Sequence, residues 1–141
     1  MKRFARTLGI AILAIPALTG TAAQASPLNG PPPGSSCHNN GETLHNGNIW
    51  ETTNGVHIEL QTDGNLVLSW NSRVLYATGT RFANRATIQG DGNFVEYAPN
   101  GNPVWASGTS GNAGALLCVQ PDGNLVIYGG GWFPIWATNT H

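Results

Sequence analysis

Gln89-Gly90-Asp91-Gly92-Asn93-Phe94-Val95-Glu96-Tyr97 is the stretch that decides the fold, because the chain writes it three times. Gln61-Thr62-Asp63-Gly64-Asn65-Leu66-Val67-Leu68-Ser69 begins 28 residues earlier, and Gln120-Pro121-Asp122-Gly123-Asn124-Leu125-Val126-Ile127-Tyr128 begins 31 residues later. Each copy is followed, 13 or 14 residues after its Asp, by an aromatic-Ala-Thr/Ser cluster. Those clusters are Tyr76-Ala77-Thr78-Gly79-Thr80, Trp105-Ala106-Ser107-Gly108-Thr109 and Trp136-Ala137-Thr138-Asn139-Thr140. Two landmarks that recur together at near-constant spacing mark an internal repeat of about 30 residues. A unit that short cannot bury its own apolar face, so three must share one core.

Within each copy the fixed residues stand at every second position. In an extended chain Gln, Asp, Asn, Val and Tyr therefore point to one face. The residues between them point to the other: Leu66, Leu68 and Trp70, then Phe94, then Leu125 and Ile127. The same phase carried backwards adds Ile58, Leu60, Ile88 and Val119. One polar and one apolar face describe a half-buried sheet. Glu96 falls in the buried phase, an exception that a place at a sheet edge would accommodate.

Asp-Gly between apolar runs is also a strong hairpin signal, and in a pure turn Asp and Asn would be turn formers without a ligand role. The unbroken phase across the Gly and the recurrence of Gln favour a continuous strand, which Gly lets twist or receive a close neighbour. Turns are expected instead at Asn54-Gly55 and at Pro99-Asn100-Gly101-Asn102. The predicted fold is all-β, with three small sheets around a pseudo-threefold axis. Tyr76, Trp105 and Trp136 are assigned to the central packing rather than to the surface, because they recur inside apolar, small-residue strands.

Lys2, Arg3 and Arg6, the apolar stretch Leu8 to Leu18, and Ala23-Gln24-Ala25 together read as a signal peptide over residues 1–25, cleaved after Ala25. The apolar run is short for a bilayer span and is interrupted by Pro16 and Gly20, so a secreted, extracellular location is expected. Residues 26–36 are rich in Pro, Gly and Ser and read as a flexible lead-in. Residues 37–141 then form one domain, with an N-terminal strand region that includes Gly41-Glu42-Thr43-Leu44.

Cleavage leaves three arginines, Arg73, Arg81 and Arg85, against seven carboxylates, a formal net charge of −4. Such a chain has no basic patch for phosphates, which argues against nucleic acid as ligand. The scarcity of charge beside abundant Gly, Asn, Thr and Trp suits an extracellular all-β protein with many turns. Cys37 and Cys118 are the two cysteines, and in an exported chain an even count suggests one disulfide. Two unpaired thiols, or a link to another chain, are the alternatives. No metal-ligand spacing involves them, and the four histidines are scattered, so neither metal nor cofactor is expected.

The three motifs, the Trp-Ala-Thr/Ser-x-Thr clusters and the opening Gly41-Glu42-Thr43-Leu44 resemble the bulb-type, or monocot mannose-binding, lectin family over nearly all of residues 37–141. The resemblance implies a β-prism II fold of three four-stranded antiparallel sheets with pseudo-threefold symmetry. It implies metal-independent binding of α-D-mannose or mannose-rich glycans, and often a homodimer in which C-terminal strands, here Ile135 to Thr140, are exchanged. The second unit would supply Gln89, Asp91, Asn93, Val95 and Tyr97, and the third Gln120, Asp122, Asn124, Val126 and Tyr128. In such sites Asp and Asn hold the axial 2-hydroxyl, Gln the 3-hydroxyl and Tyr the 4-hydroxyl, while Val packs on ring carbons. The first unit keeps Gln61, Asp63, Asn65 and Val67 but has Ser69 for Tyr, so its site is expected to be weakened or silent. Plant members bridge the first and second units, whereas Cys37 and Cys118 imply a different disulfide here. A signal peptide before a compact single domain fits a bacterial exported lectin.

The chemistry agrees with a sugar. A carboxylate accepts, and the Asn and Gln amides both donate and accept, so together they match vicinal hydroxyls in a fixed orientation. Four or five hydrogen bonds in an open groove leave an affinity near millimolar, about −4 kcal/mol. Several sites acting together would raise avidity about 10²–10⁴-fold. An enzyme is disfavoured, since a glycosidase needs two carboxylates across one bond and each motif offers one Asp. A lectin-like bacteriocin, antimicrobial or protein-interaction module with partly lost sugar binding is the alternative reading.

Overall fold

The computed structural model describes residues 30–141. The signal peptide and the first four residues of the lead-in lie outside the described residues. Among the described residues twelve short strands run in chain order: β1 Ser36–His38, β2 Thr43–His45, β3 Ile49–Glu51, β4 His57–Leu60, β5 Leu66–Trp70 and β6 Arg73–Ala77 in the first half. The second half holds β7 Arg85–Ile88, β8 Phe94–Tyr97, β9 Pro103–Ala106, β10 Leu116–Val119, β11 Leu125–Tyr128 and β12 Pro134–Ala137, with one 3-10 turn at Gly130–Trp132.

The strands form three four-stranded antiparallel sheets, in the orders β3-β4-β5-β6, β9-β8-β7-β2 and β12-β11-β10-β1. Each repeat is thus a three-stranded meander, and the N-terminal region completes every sheet with one strand: β3 for the first, β2 for the second, β1 for the third. The C-terminal β12 pairs with β11 of its own chain, Val126 facing Ala137. The third sheet is also closed covalently. Cys37 and Cys118 face each other across β1 and β10 and form a disulfide. The described part of the lead-in is seated on the domain, with Ser35 Oγ donating to Pro32 O at 2.7 Å and the Thr53 amide to Gly34 O at 3.2 Å.

One face of every sheet turns to a shared core. Leu44, Ile58, Leu60, Leu66, Leu68, Ile88, Phe94, Leu117, Val119, Leu125 and Ile127 are all within 2% of complete burial. Tyr76, Trp105 and Trp136 pack against this core where the sheets meet. Trp136 takes the other two edge-on, with centroids 6.1 Å from Tyr76 and 5.8 Å from Trp105. The aromatic residue of each cluster therefore marks the pseudo-threefold centre, as its recurrence in the sequence suggested.

Three expectations are corrected. First, the motif is not a continuous strand: Thr62-Asp63-Gly64 and its two counterparts are three-residue hairpin loops. Gln61 N donates to Asn65 O at 2.9 Å and Gly64 N to Gln61 O at 2.9 Å, and both other units repeat the pattern. The alternation survived the turn because cross-strand partners in an antiparallel pair project to the same side. Gln and Asn therefore share a face on either reading. Gly64, Gly92 and Gly123 stand at φ +87°, +88° and +92°, the left-handed region that closes such a loop. The expected turns at Asn54-Gly55 and Pro99–Asn102 use the same loop, closed by Thr52 N to Val56 O and Ala98 N to Asn102 O at 2.8 Å each.

Second, Glu96 is not at an edge. It lies on β8, an interior strand, and is fully buried. Third, Trp70 leaves the core. It ends β5 beyond the last buried position, Leu68, and the exposed indole donates to Asn54 O at 3.2 Å.

Candidate functional site

Each hairpin loop builds a small polar constellation from its own backbone. The Asp side chain folds back, its Oδ1 accepting the Asn amide two residues on at 2.9 Å from Asn65, 2.9 Å from Asn93 and 3.0 Å from Asn124. The Asn side chain is fixed by the following cluster. Asn65 Oδ1 accepts the Gly79 amide at 2.9 Å, Asn93 Oδ1 that of Gly108 at 3.0 Å, and Asn124 Oδ1 that of Asn139 at 2.9 Å. Hydroxyls of Thr78, Ser107 and Thr138 reach the same oxygens at 3.5, 3.1 and 3.0 Å. Thr80, Thr109 and Thr140 then donate to the carbonyls of Gly64, Gly92 and Gly123 at 2.7, 2.6 and 2.6 Å. The Thr/Ser-x-Thr cluster, which the sequence showed only as a landmark, is thus the clamp that orients the motif.

These bonds decide what remains for a ligand. One oxygen of each Asp and the Nδ2 donor of each Asn have no partner in the loop network, so an anionic acceptor and an amide donor stand side by side. That pair can accept from and donate to one hydroxyl or two vicinal ones. The Asp residues are exposed and the Asn residues half-buried, as a shallow site requires.

Gln and Tyr complete the second and third constellations. The Tyr97 hydroxyl donates to Gln89 Oε1 at 3.2 Å, and Gln120 Nε2 donates to the Tyr128 hydroxyl at 2.5 Å. Each phenol is brought back over the start of its own loop, eight residues away. In the second unit the Arg85 guanidinium lies 4.9 Å from the Tyr97 ring centroid, a cation–π contact that holds the ring. In the third unit Gln120 and Tyr128 are 3% and 7% exposed, and the Trp132 indole meets Tyr128 edge-on at 5.8 Å. Burial raises the Tyr128 pKa above its ordinary value, and the Asp122 charge adds to the rise against the Gln120 hydrogen bond. Desolvation around the Asp122 carboxyl raises its pKa as well, opposed by the Asn124 amide. Neither Arg85 nor Trp132 was singled out from sequence, because each reaches its Tyr through the hairpin pairing and not through the repeat.

The first unit lacks this second half. Ser69 pairs with His57 across β4 and β5 and is too short to return to Gln61. Asp63 and Asn65 instead border an open groove of about 370 Å³ with Gly79, Thr80, Arg81 and Phe82. The valines also differ from a fully open polar face. Val67, Val95 and Val126 are 3–4% exposed, and Val126 joins Cys118 and Tyr128 in a second apolar cluster with Leu116 and Ala137.

No protein-family model and no curated protein matches the chain. Solved structures do. A lectin of Marasmius oreades is 33% identical, with a TM-score of 0.71 over 77% of this chain and 93% of its own. A monomeric monocot mannose-binding lectin from Gastrodia elata is 33% identical, with a TM-score of 0.68 over 74% of this chain and 96% of its own. The mannose-specific agglutinin of snowdrop bulbs, Galanthus nivalis, solved with methyl-α-D-mannoside, is 35% identical, with a TM-score of 0.62 over 75% of this chain and 97% of its own. With one sheet per repeat, 33–35% identity and near-complete coverage of these relatives, the chain belongs to the bulb-type, or monocot mannose-binding, lectin family and has its β-prism II fold.

Proposed function

We propose that the protein is an exported lectin that binds α-D-mannose or mannose-containing glycans through its second and third motifs, without a metal ion. The observation that carries this reading is the pairing of a free Asp oxygen and a free Asn amide with a Tyr–Gln hydrogen bond in those two units. Asp91 and Asn93, and Asp122 and Asn124, are already oriented by the loop, so binding orders little that is mobile. Gln89 with Tyr97, and Gln120 with Tyr128, offer the next hydroxyl contacts. Val95 and Val126 form the apolar floor. The snowdrop relative was solved with a mannoside, which supports the same ligand class here.

Asp91→Asn and Asp122→Asn are the informative variants. Asn keeps the oxygen that accepts the loop amide and removes the anionic acceptor, so the turn survives. Titration calorimetry with methyl-α-D-mannoside should show a stoichiometry near two sites for the wild type, one for each single variant, and no binding for the double variant. Asp63→Asn should leave the titration as it was, because the first unit has no Tyr. Retention of both sites in the double variant would refute the assignment.

Two sites on one rigid scaffold suit multivalent attachment to a glycan-covered surface, where linked sites raise avidity about 10²–10⁴-fold. No reaction is proposed, since each motif brings one carboxylate and a glycosidase needs two across the bond. A homodimer would form if Ile135 to Thr140 paired with β11 of a second copy in place of its own. Light scattering on the purified protein tests that assembly.

A further inference from the structure

The third motif carries an aromatic neighbour that the second does not. Counted from Tyr97 and Tyr128, Gly101 and Trp132 hold the same place in the loop after the motif. Both loops are closed alike, Ala98 N to Asn102 O and Gly129 N to Phe133 O, each at 2.8 Å. Gly101 has φ +89°, whereas Trp132 is held at φ +64°, a left-handed conformation that opposes an L side chain. Strain kept at an exposed residue points towards a use for that side chain.

The indole is built into position. Its ring centroid is 5.8 Å from that of Tyr128 at 76°. A Cβ on Gly30 would lie 3.1 Å from Cδ2 and 3.4 Å from Cε2 and Cε3, so the Gly30 backbone lies over one part of the ring and leaves room for nothing larger. Trp132 nevertheless remains 39% exposed, and Phe133 beside it 56%. An aromatic surface of this kind, fixed at the rim of a polar hydroxyl-binding site, suits the C–H face of a pyranose. Such C–H groups carry partial positive charge and lie well on the negative face of an aromatic ring.

We propose that Trp132 is a specificity-determining platform that receives the second pyranose of a glycan whose first residue is held by Asp122, Asn124 and Tyr128. This rests on the mannose reading of the third motif and deepens it. The two sites are then unequal: the second accepts a single terminal residue, and the third prefers an oligosaccharide. Asn100, Gly101 and Asn102 give the second site no comparable surface.

The test uses the Asp91→Asn protein, in which only the third site reports, with and without Trp132→Gly. Glycine there restores the residue the second unit uses, and a thermal melt verifies folding. Both proteins are titrated with methyl-α-D-mannoside, α-linked mannobioses and mannotriose. With Trp132 present the trisaccharide should bind about three- to tenfold tighter than the monosaccharide. With Trp132→Gly that ratio should fall towards one, while Trp132→Phe should retain most of it. A ratio untouched by Trp132→Gly, or no preference in the parent, overturns the platform. Failure of wild-type protein to bind the monosaccharide overturns the mannose reading itself, and the platform with it.

Discussion

Glu96→Gln should stabilise the protein at neutral pH and leave its stability in acid as it is. Glu96 holds the place in the second sheet that Leu68 and Ile127 hold in the first and third, and it is fully buried. Its Oε1 lies 2.6 Å from Thr80 Oγ1, and Oε2 has no partner among the described residues. Thr80 has one hydroxyl proton, and the bond to Gly64 O at 2.7 Å uses it, as Thr109 and Thr140 use theirs. The short contact is therefore satisfied when the Glu96 carboxyl is neutral and donates to Thr80 Oγ1. Desolvation by burial, the largest influence on the group, likewise raises its pKa above 4.5.

The sign follows from proton counts. Between the ordinary glutamate pKa of 4.5 and the raised native value, the folded state binds more protons than the unfolded state. Stability from this group is complete below the unfolded pKa and is lost as pH rises through the folded one, at up to about 1.4 kcal/mol per pH unit. A glutamine amide can make the same donation to Thr80 and does not titrate. The stability difference between variant and wild type should then be near zero in acid, grow through the window and level off above it. For a domain of this size each kcal/mol corresponds to about 4 °C in Tm. Urea unfolding of both proteins, followed by tryptophan fluorescence from pH 4 to pH 8, measures the difference directly. Glu42, lowered by its bond to His38, and Asp122 titrate in both proteins and cancel. Parallel profiles, or a wild type that gains on the variant as pH rises, would refute the neutral buried acid.

Removing the disulfide by Cys37→Ser with Cys118→Ser frees a loop spanning a sequence separation of 81, for an entropic loss of about 4.5 kcal/mol. Denaturation of the double variant against wild type tests this, and a loss below about 1 kcal/mol would show that the bridge restrains little. Gly64→Ala and Gly101→Ala should differ sharply although their φ values are +87° and +89°. A Cβ at Gly64 collides with the backbone of Phe82 and Ala83, while one at Gly101 meets open space. Gly101→Ala should lose about 1–2 kcal/mol from the left-handed backbone alone, and Gly64→Ala clearly more, read from chemical unfolding midpoints.

Much of the fold was legible because the repeat is local. Alternation over Ile58, Leu60, Leu66, Leu68, Ile88, Phe94, Val119, Leu125 and Ile127 names the core face correctly, since a strand's two faces are set by the chain itself. The same local rule misread the Asp-Gly loops, because a hairpin returns Gln and Asn to one face just as a straight strand does. It misplaced Trp70 because alternation along β5 does not show where the shared core ends. Arg85 over Tyr97 and Trp132 against Tyr128 were not singled out from sequence, because neither belongs to a pattern that recurs in all three units.

What the sequence determined by itself was three units, their apolar faces and the Tyr-to-Ser change at Ser69, all properties of contiguous residues. Tertiary structure alone decided that β1, β2 and β3 are dealt one to each sheet, that Cys37 meets Cys118, and that Glu96 lies at the interior of a sheet. It also decided which oxygens of Asp and Asn the clamp occupies and which remain for a ligand. Those outcomes depend on which distant segments pack together, and that is settled only when the three apolar faces close around a common axis.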